Sequence, residues 1–330
     1  MFIKGKILNN VKEYGALGDG IHDDTLAIRE AILVTKDQGG GQVYFPPGVY
    51  VITDTITIDS PVGFVGANSN NLSLQLNGNY DNVGSVLAWY GPNKIMIDYV
   101  GRIDNVIFMD IAIDGRNGST IGLRIDRLRH SYFRCVQLNR FTQFGIDITP
   151  RPEINFMNDN AMFNHFQSTT IYNDLEGSSC LRLDGTVIDK NNINAGAGNS
   201  CHNTFTNTHL WVKNNWNVEF LDCDNNSFYM LYCFKVDNKT SQIYFGYNQN
   251  TYNSGYIPRH GCARSNYIYH CQGSIYASAG PTSKAPECKN YIFGYDRENG
   301  QPLPITTNNA KIILVGEESS KTSIFGKLFR

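Results

Sequence analysis

Residues 11–25 read VKEYGALGDGIHDDT, and residues 39–52 read GGGQVYFPPGVYVI. Between them lies LAIREAIL, whose Leu26, Ile28, Ile32 and Leu33 recur at helical spacing behind the N-capping side chains of Asp23-Asp24-Thr25. Gly39-Gly40-Gly41 stops that helix. VYFPPGVYVITDTITI then alternates as strands around a Pro-Pro-Gly turn. Glycine-rich loops before helices also cradle phosphates, but neither G-x-G-x-x-G nor G-x-x-x-x-G-K-[ST] is present. One amphipathic helix leading directly into strands suits a lid laid across the open end of a β-structure.

The rest of the composition agrees with a β-rich chain. Its 330 residues can bury a sizeable core as one large domain or two ordinary ones. Gly 31, Tyr 19 and Phe 18 point to strands and many turns. A net charge of −2 with 18% charged residues argues against nucleic-acid binding, which calls for a basic stripe. No segment approaches the roughly 18 consecutive apolar residues of a membrane span, so no membrane insertion is expected. MFIKGKILNNVKEYGA lacks the apolar core of a secretory signal. The eight cysteines include no CxxC pair, which argues against zinc, and in a long chain they are expected as reduced, buried thiols.

Beyond residue 100 a repeat emerges. Asn or Ser, any residue, then Phe or Ile recurs at Asn105-Val106-Ile107, Ser131-Tyr132-Phe133, Asn164-His165-Phe166, Asn203-Thr204-Phe205, Asn226-Ser227-Phe228, Asn266-Tyr267-Ile268 and Asn290-Tyr291-Ile292. A second motif follows the first five: GLRI at 122–125, GIDI at 145–148, CLRL at 180–183, NVEF at 217–220 and QIYF at 242–245. The first motifs start 26, 33, 39, 23, 40 and 24 residues apart, whereas first-to-second distances are 17, 14, 16, 14 and 16. A coil of short parallel strands explains a constant segment alternating with variable loops, like residues stacking about 4.8 Å apart on successive turns. The Asn column then forms a hydrogen-bonded ladder at a corner, and Phe133, Phe166, Phe205 and Phe228 stack in the core.

The second motif also supplies outward positions. Arg124, Asp147, Arg182 and Glu219 share one slot on successive rungs, either as a surface charge ladder or as the floor of a groove that meets a sugar. Cleavage of a glycosidic bond requires two carboxyl groups about 5–5.5 Å apart for retention or about 6.5–9.5 Å apart for inversion. Strand spacings provide both. In FLDCDNNSF, Asp222 and Asp224 are expected on one side of a strand, following Glu219. LRLDGTVIDK adds Asp184 and Asp189 one rung earlier, and Asp126 lies before them. His202 and His130 immediately precede the corner motif and could assist in acid–base work. Asp and Asn also simply favour turns. Asp222-x-Asp224 could alternatively hold Ca²⁺, an ion suited to oxygen ligands, in which case Arg182 is the neighbouring base for a lyase. THLWVKNNWNVEF places Trp211 and Trp216 beside the same rung as a sugar platform or a core cover, with Tyr229, Tyr232, Tyr267 and Tyr269 extending it.

The order V-K-E-Y-G-A-L-G-D-G-x-x-D-D-T-x-A-I, then G-G-G-Q-V-Y-F-P-P-G-V-Y, resembles the N-terminal cap of the pectate-lyase-like right-handed parallel β-helix superfamily. That group includes polygalacturonase-like hydrolases, pectate lyases and phage tailspike depolymerases. The resemblance implies an all-β solenoid with an N-terminal cap over 1–60, the parallel β-helix over 61–295, and a C-terminal cap or oligomerisation segment over 296–330. It further implies a polysaccharide ligand, a homotrimer, and a virion-tail or extracellular location. The motifs N-T-D, G-H-G and R-I-K of polygalacturonases do not occur in the expected order, so no catalytic residue is carried over from them. The expected function is a depolymerising glycosidase without a cofactor, using Asp222, Asp224, Asp184 and Glu219 with His202, and binding sugar through Arg182, Trp211, Trp216 and Tyr229. Its rivals are a non-catalytic receptor-binding spike and a Ca²⁺-dependent lyase.

Overall fold

The structure is a computed structural model, and it describes residues 8–69, 80, 84–150, 160–185, 200–235, 242–247, 263–280, 288–295, 305–308 and 310–315. Every strand pair in it is parallel. Two long sheets face one another across one main core, the arrangement of a right-handed parallel β-helix. The first sheet runs through Gly41–Phe45, Val62–Gly66, Ile107–Asp114, Tyr132–Asn139, Thr204–Val212, Ser227–Lys235, Tyr267–Gln272, Lys289–Tyr295 and Lys311–Val315. The second runs through Ile97–Asp104, Ile121–Arg129, Phe144–Ile148, Ser179–Asp184, Val218–Leu221, Ile243–Gly246, Ile275–Ser278 and Ile305–Asn308.

Both sequence motifs fall into register. Leu123, Ile146, Leu181, Val218, Ile243 and Ile275 align rung on rung, and all six are buried. Phe133, Phe166, Phe205 and Phe228 stack in the core with ring centroids 4.5, 4.5 and 4.4 Å apart. Only the Asn105-Val106-Ile107 copy of the first motif is offset, by one residue. Phe108 pairs with Phe133, and Val106 donates its amide to the Ser131 hydroxyl, so Val106 takes the ladder position and Asn105 the corner before it.

The corner that joins the sheets explains the asparagines. Asn105, His130, Phe163, His202, Asn225 and Ser265 all have φ between 51° and 64°, a left-handed conformation that turns the chain sharply. The next residue on five successive rungs carries the ladder. Asn164, Asn203, Asn226 and Asn266 each donate Nδ2 to Oδ1 of the asparagine one rung on, at 2.9, 3.1, 3.0 and 2.9 Å. The same oxygens accept backbone amides, so these buried side chains are paired. A second column of left-handed residues, Cys135, Ser168, Asn207, Met230 and His270, bends the first sheet on five successive rungs.

The helix Thr25–Asp37 lies across the N-terminal end and buries Ile28, Ala31 and Ile32. Leu26 and Leu33, expected on its inner face, are 75% and 49% exposed, because the short alanine at 31 and Thr35 complete that face instead. The cap chemistry also divides unexpectedly. Asp23 accepts the amide of Thr25 at 2.9 Å, while Asp24 turns back to bind the amides of Leu17, Gly18 and Val51. Asp24 thus fastens the Gly-Asp-Gly turn to the first coil. Gly39 and Gly40 have φ of 90° and 102°, and a Cβ at Gly40 would lie 2.7 Å from Pro61. Among the described residues six cysteines stand outside any disulfide, but Cys288 is disulfide-bonded, a departure from the all-thiol expectation. No described helix is long and apolar enough to cross a membrane.

Candidate functional site

The outward slot of the second sheet holds Asp98, Arg124, Asp147, Arg182, Glu219, Tyr244 and Tyr276 on consecutive rungs. Alternation of side chains along each strand puts these residues on the face away from the core. Opposite charges one rung apart then meet. Arg182 grips Asp147 through Nε and Nη2 at 2.9 and 2.7 Å, a bidentate pair, and Asp147 also accepts the Thr149 hydroxyl. The guanidinium carbon lies 4.2 Å over the Phe144 ring. Arg124 approaches Asp98 at 4.0 Å.

Glu219 ends the charged run. Its Oε1 accepts the Ser179 hydroxyl at 2.6 Å. Burial pushes its carboxyl up to about 7; Ser179 and Arg182 pull it down, and the nearby Asp184 and Asp147 charges push it further up. Burial works against the charge on Arg182, yet the attraction of Asp147, Asp184 and Glu219 raises its pKa. Asp184 lies two residues beyond Arg182 on the same strand and therefore on the same face, while Glu219 pairs with Arg182 itself. One rung of about 4.8 Å and two residues of about 6.6 Å place the Cα atoms of Glu219 and Asp184 roughly 8 Å apart.

The other candidates lie elsewhere. Asp222 has a φ of 47°, so the chain turns there, and Asp222 and Asp224 do not share one side of a strand as expected. Both sit buried at a corner, Asp224 facing Arg264 at 3.3 Å. Asp126 is buried and accepts the amide of Gly101 at 2.9 Å. Asp189 lies outside the described residues. His202 projects from the left-handed corner in an exposed stack with Phe163 and His130, on a ridge rather than beside Glu219.

The two tryptophans part company. Trp216, three residues before Glu219, stacks on Tyr244 and Tyr276 at 5.0 and 6.1 Å. Trp211 belongs to the first sheet and stacks on Phe234 and His209 at 4.5 and 5.7 Å. Tyr229 is also on the first sheet, against Tyr269 at 4.7 Å. The structure therefore gathers Arg182, Asp184, Glu219 and Trp216 on one face, and it adds Ser179, Phe144, Tyr244 and Tyr276, which sequence reasoning missed. Tyr244 and Tyr276 were legible by continuing the charged slot along the repeat. Ser179 and Phe144 carried no such signal, since their contacts cross rungs. Among the described residues, no group of three His, Cys, Asp or Glu side chains is arranged to hold a metal ion.

A family model described as rhamnogalacturonase A/epimerase, pectate lyase-like, matches residues 8–227. Mannuronan C5-epimerase AlgE2 of Azotobacter vinelandii is 28% identical over 228 residues, covering 57% of this chain and 22% of its own length. Alginate lyase 7 of the same organism is 32% identical over 140 residues, covering 36% of this chain and 16% of its own. The chain thus spans about a fifth of the curated relatives it matches. Among solved structures, the pre-mature bacteriophage phi29 gene product 12 superposes with a TM-score of 0.60 at 16% identity, over 92% of this chain and 40% of that one. That likeness shows the fold.

Proposed function

This chain belongs to the rhamnogalacturonase A/epimerase, pectate lyase-like family, and from that premise we propose that it depolymerises a cell-surface or extracellular polysaccharide on the outer face of its second sheet. The observation that carries the reading is Glu219, a carboxyl held near neutrality by burial within an otherwise paired charge row. A group with such a pKa is protonated in useful amount at neutral pH and can give its proton to a departing glycosidic oxygen.

Asp184 is the facing carboxylate. Its Cα lies roughly 8 Å from that of Glu219, and an inverting hydrolase needs its two carboxyl groups about 6.5–9.5 Å apart, with a water between the base and the sugar. Arg182 is held in place by its bidentate pair with Asp147 and by the Phe144 ring beneath its guanidinium. Ser179 donates to one oxygen of Glu219, which leaves the other to carry the proton. Trp216 and the tyrosines that follow it line the next rungs as a surface for neighbouring sugars.

A second reading is favoured by the relatives whose names are an epimerase and a lyase. In that reading Asp184 takes the C5 proton of a uronate whose carboxylate Glu219 neutralises by sharing its proton. The electron pair then either expels the O4 substituent, which leaves with a proton, to give the unsaturated sugar, or takes a proton from water on the opposite face to give the epimer. One assay separates the two. Wild type, Glu219→Gln and Asp184→Asn are incubated with alginate, polygalacturonate and bacterial surface glycans, following reducing ends, absorbance at 235 nm and the NMR signals of C5 configuration. Hydrolysis gives reducing ends without absorbance, of inverted anomeric configuration, and at least about a hundredfold less product in each variant. Absorbance or C5 inversion supports the second reading. Binding without any of the three, or activity untouched by both variants, overturns the site. The family resemblance extends the proposal to a homotrimer at a virion tail or outside a cell, which light scattering of the purified chain checks.

A further inference from the structure

The first sheet carries a second surface that the Glu219 face does not use. Its outward slots before the bend change chemistry along the solenoid. One column runs Arg134, Gln167, Thr206, Tyr229, Tyr269, Phe293, and its neighbour runs Tyr132, His165, Thr204, Ser227, Tyr267, Tyr291. The early rungs are satisfied internally: Arg134 pairs with Asp110 at 2.6 Å, and Tyr132 donates its hydroxyl to Gln167. The later rungs are aromatic. Tyr229, Tyr269 and Phe293 stack at 4.7 and 4.6 Å, and Tyr267 stacks on Tyr291 at 5.2 Å.

These rings cover one another's faces, so they present edges and hydroxyls outward. Elsewhere the hydroxyls of Tyr14, Tyr50, Tyr80 and Tyr99 each reach a protein acceptor. Those of Tyr229, Tyr267, Tyr269 and Tyr291 have no hydrogen-bond partner among the described residues. Two rows of free hydroxyls at rung spacing therefore lie along a solenoid face that carries no charge in those slots. Three rungs by two outward positions cover only about 200 Å², well below the roughly 800 Å² per partner of a stable protein interface. A second copy of the chain is too large a ligand for so small a patch. A narrow, hydroxyl-rich chain lying parallel to the axis fits it, meeting the Tyr229 hydroxyl on one rung, those of Tyr267 and Tyr269 on the next and that of Tyr291 on the third.

We infer that the outer face of the first sheet, at Tyr229, Tyr267, Tyr269 and Tyr291, is a polysaccharide-binding surface separate from the Glu219 face. It rests on the reading that the ligand is a polysaccharide, and it holds the polymer without cutting it. Native electrophoresis of the full chain through gels containing alginate, polygalacturonate or xylan tests this without turnover. Glu219→Gln, which on the catalytic proposal does not cut, is the reference chain for this comparison and should be retarded in at least one gel. Combined Tyr229→Phe, Tyr267→Phe, Tyr269→Phe and Tyr291→Phe removes the hydroxyls but keeps the stacks, so its melting temperature should match the wild type. Its apparent affinity should fall at least about tenfold. Equal retardation of this variant overturns the inference, as does a wild type slowed by none of the three gels. Self-association of the wild type that the variant loses overturns it in favour of an interface between copies. Loss of cleavage in Glu219→Gln with retardation intact bears on the catalytic proposal alone.

Discussion

Glu219 shows how a single side chain acquires a pKa that its own chemistry does not give it. Its neighbours on the column are ion-paired, whereas Glu219 is followed by Tyr244 and is left with a hydroxyl donor and a guanidinium already engaged by Asp147. A carboxyl raised from an ordinary 4.5 to about 7 holds its proton more tightly folded than unfolded. Stability is therefore full below the unfolded value and declines as pH rises through the window from 4.5 to about 7. Glu219→Gln removes that decline. Its melting temperature should match the wild type near pH 4 and exceed it at pH 8, as measured by calorimetry at both values; a constant offset would show that Glu219 does not titrate in this window.

At the scale of the element, the repeating unit is a corner followed by a ladder residue. Asn226 accepts the amide and side chain of Asn203, and donates to Ser200 and Asn266. Asn226→Ala leaves several buried polar groups unpaired at once, and denaturant unfolding should show a loss of about 3 kcal/mol. The preceding corner asks for left-handed backbone, which asparagine tolerates better than most residues. The bend column is less well served. Met230 sits there with φ of 61° and 41% exposed. Met230→Asn should stabilise the chain by about 0.5–1 kcal/mol, since it relieves the backbone while giving up little packing. A destabilised variant would mean that the exposed methionine packs more than its surface suggests.

For the whole molecule, the decisive problem is the open end of a parallel sheet. The helix Thr25–Asp37 covers it through Ile28, Ala31 and Ile32, and the Asp24 carboxylate ties the connecting turn to the first coil. An uncovered rung offers its amides and carbonyls to any other strand. Ile28→Asp places a charge in that seal and should lower stability by more than about 4 kcal/mol. The accompanying readout is aggregation: light scattering should rise with protein concentration at temperatures where wild type stays clear. A variant that loses stability without aggregating would show that the end is protected by something other than the helix.

The cap, the parallel coil, the asparagine ladder and the phenylalanine stack were all legible in the sequence, because each is a local pattern repeated at a fixed offset. Two strand motifs separated by 14–17 residues fix which side chains point inward, and stacking at one rung per turn does the rest. The site was legible only where it followed the same rule, as with Arg182, Glu219 and the slot they share. It was misread at Asp222, where a left-handed residue ends the alternation, and at Trp211 and Trp216, five residues apart, of which Trp211 lies in the first sheet and Trp216 stacks on the tyrosines of the second. The pairing of Ser179 with Glu219 spans 40 residues, and Cys288 lies in a disulfide that spacing did not announce. Sequence determines what recurs along one strand. Which face a corner residue joins, and which carboxyl loses enough water to keep its proton, depends on what neighbouring rungs bury, and only the tertiary structure decides that.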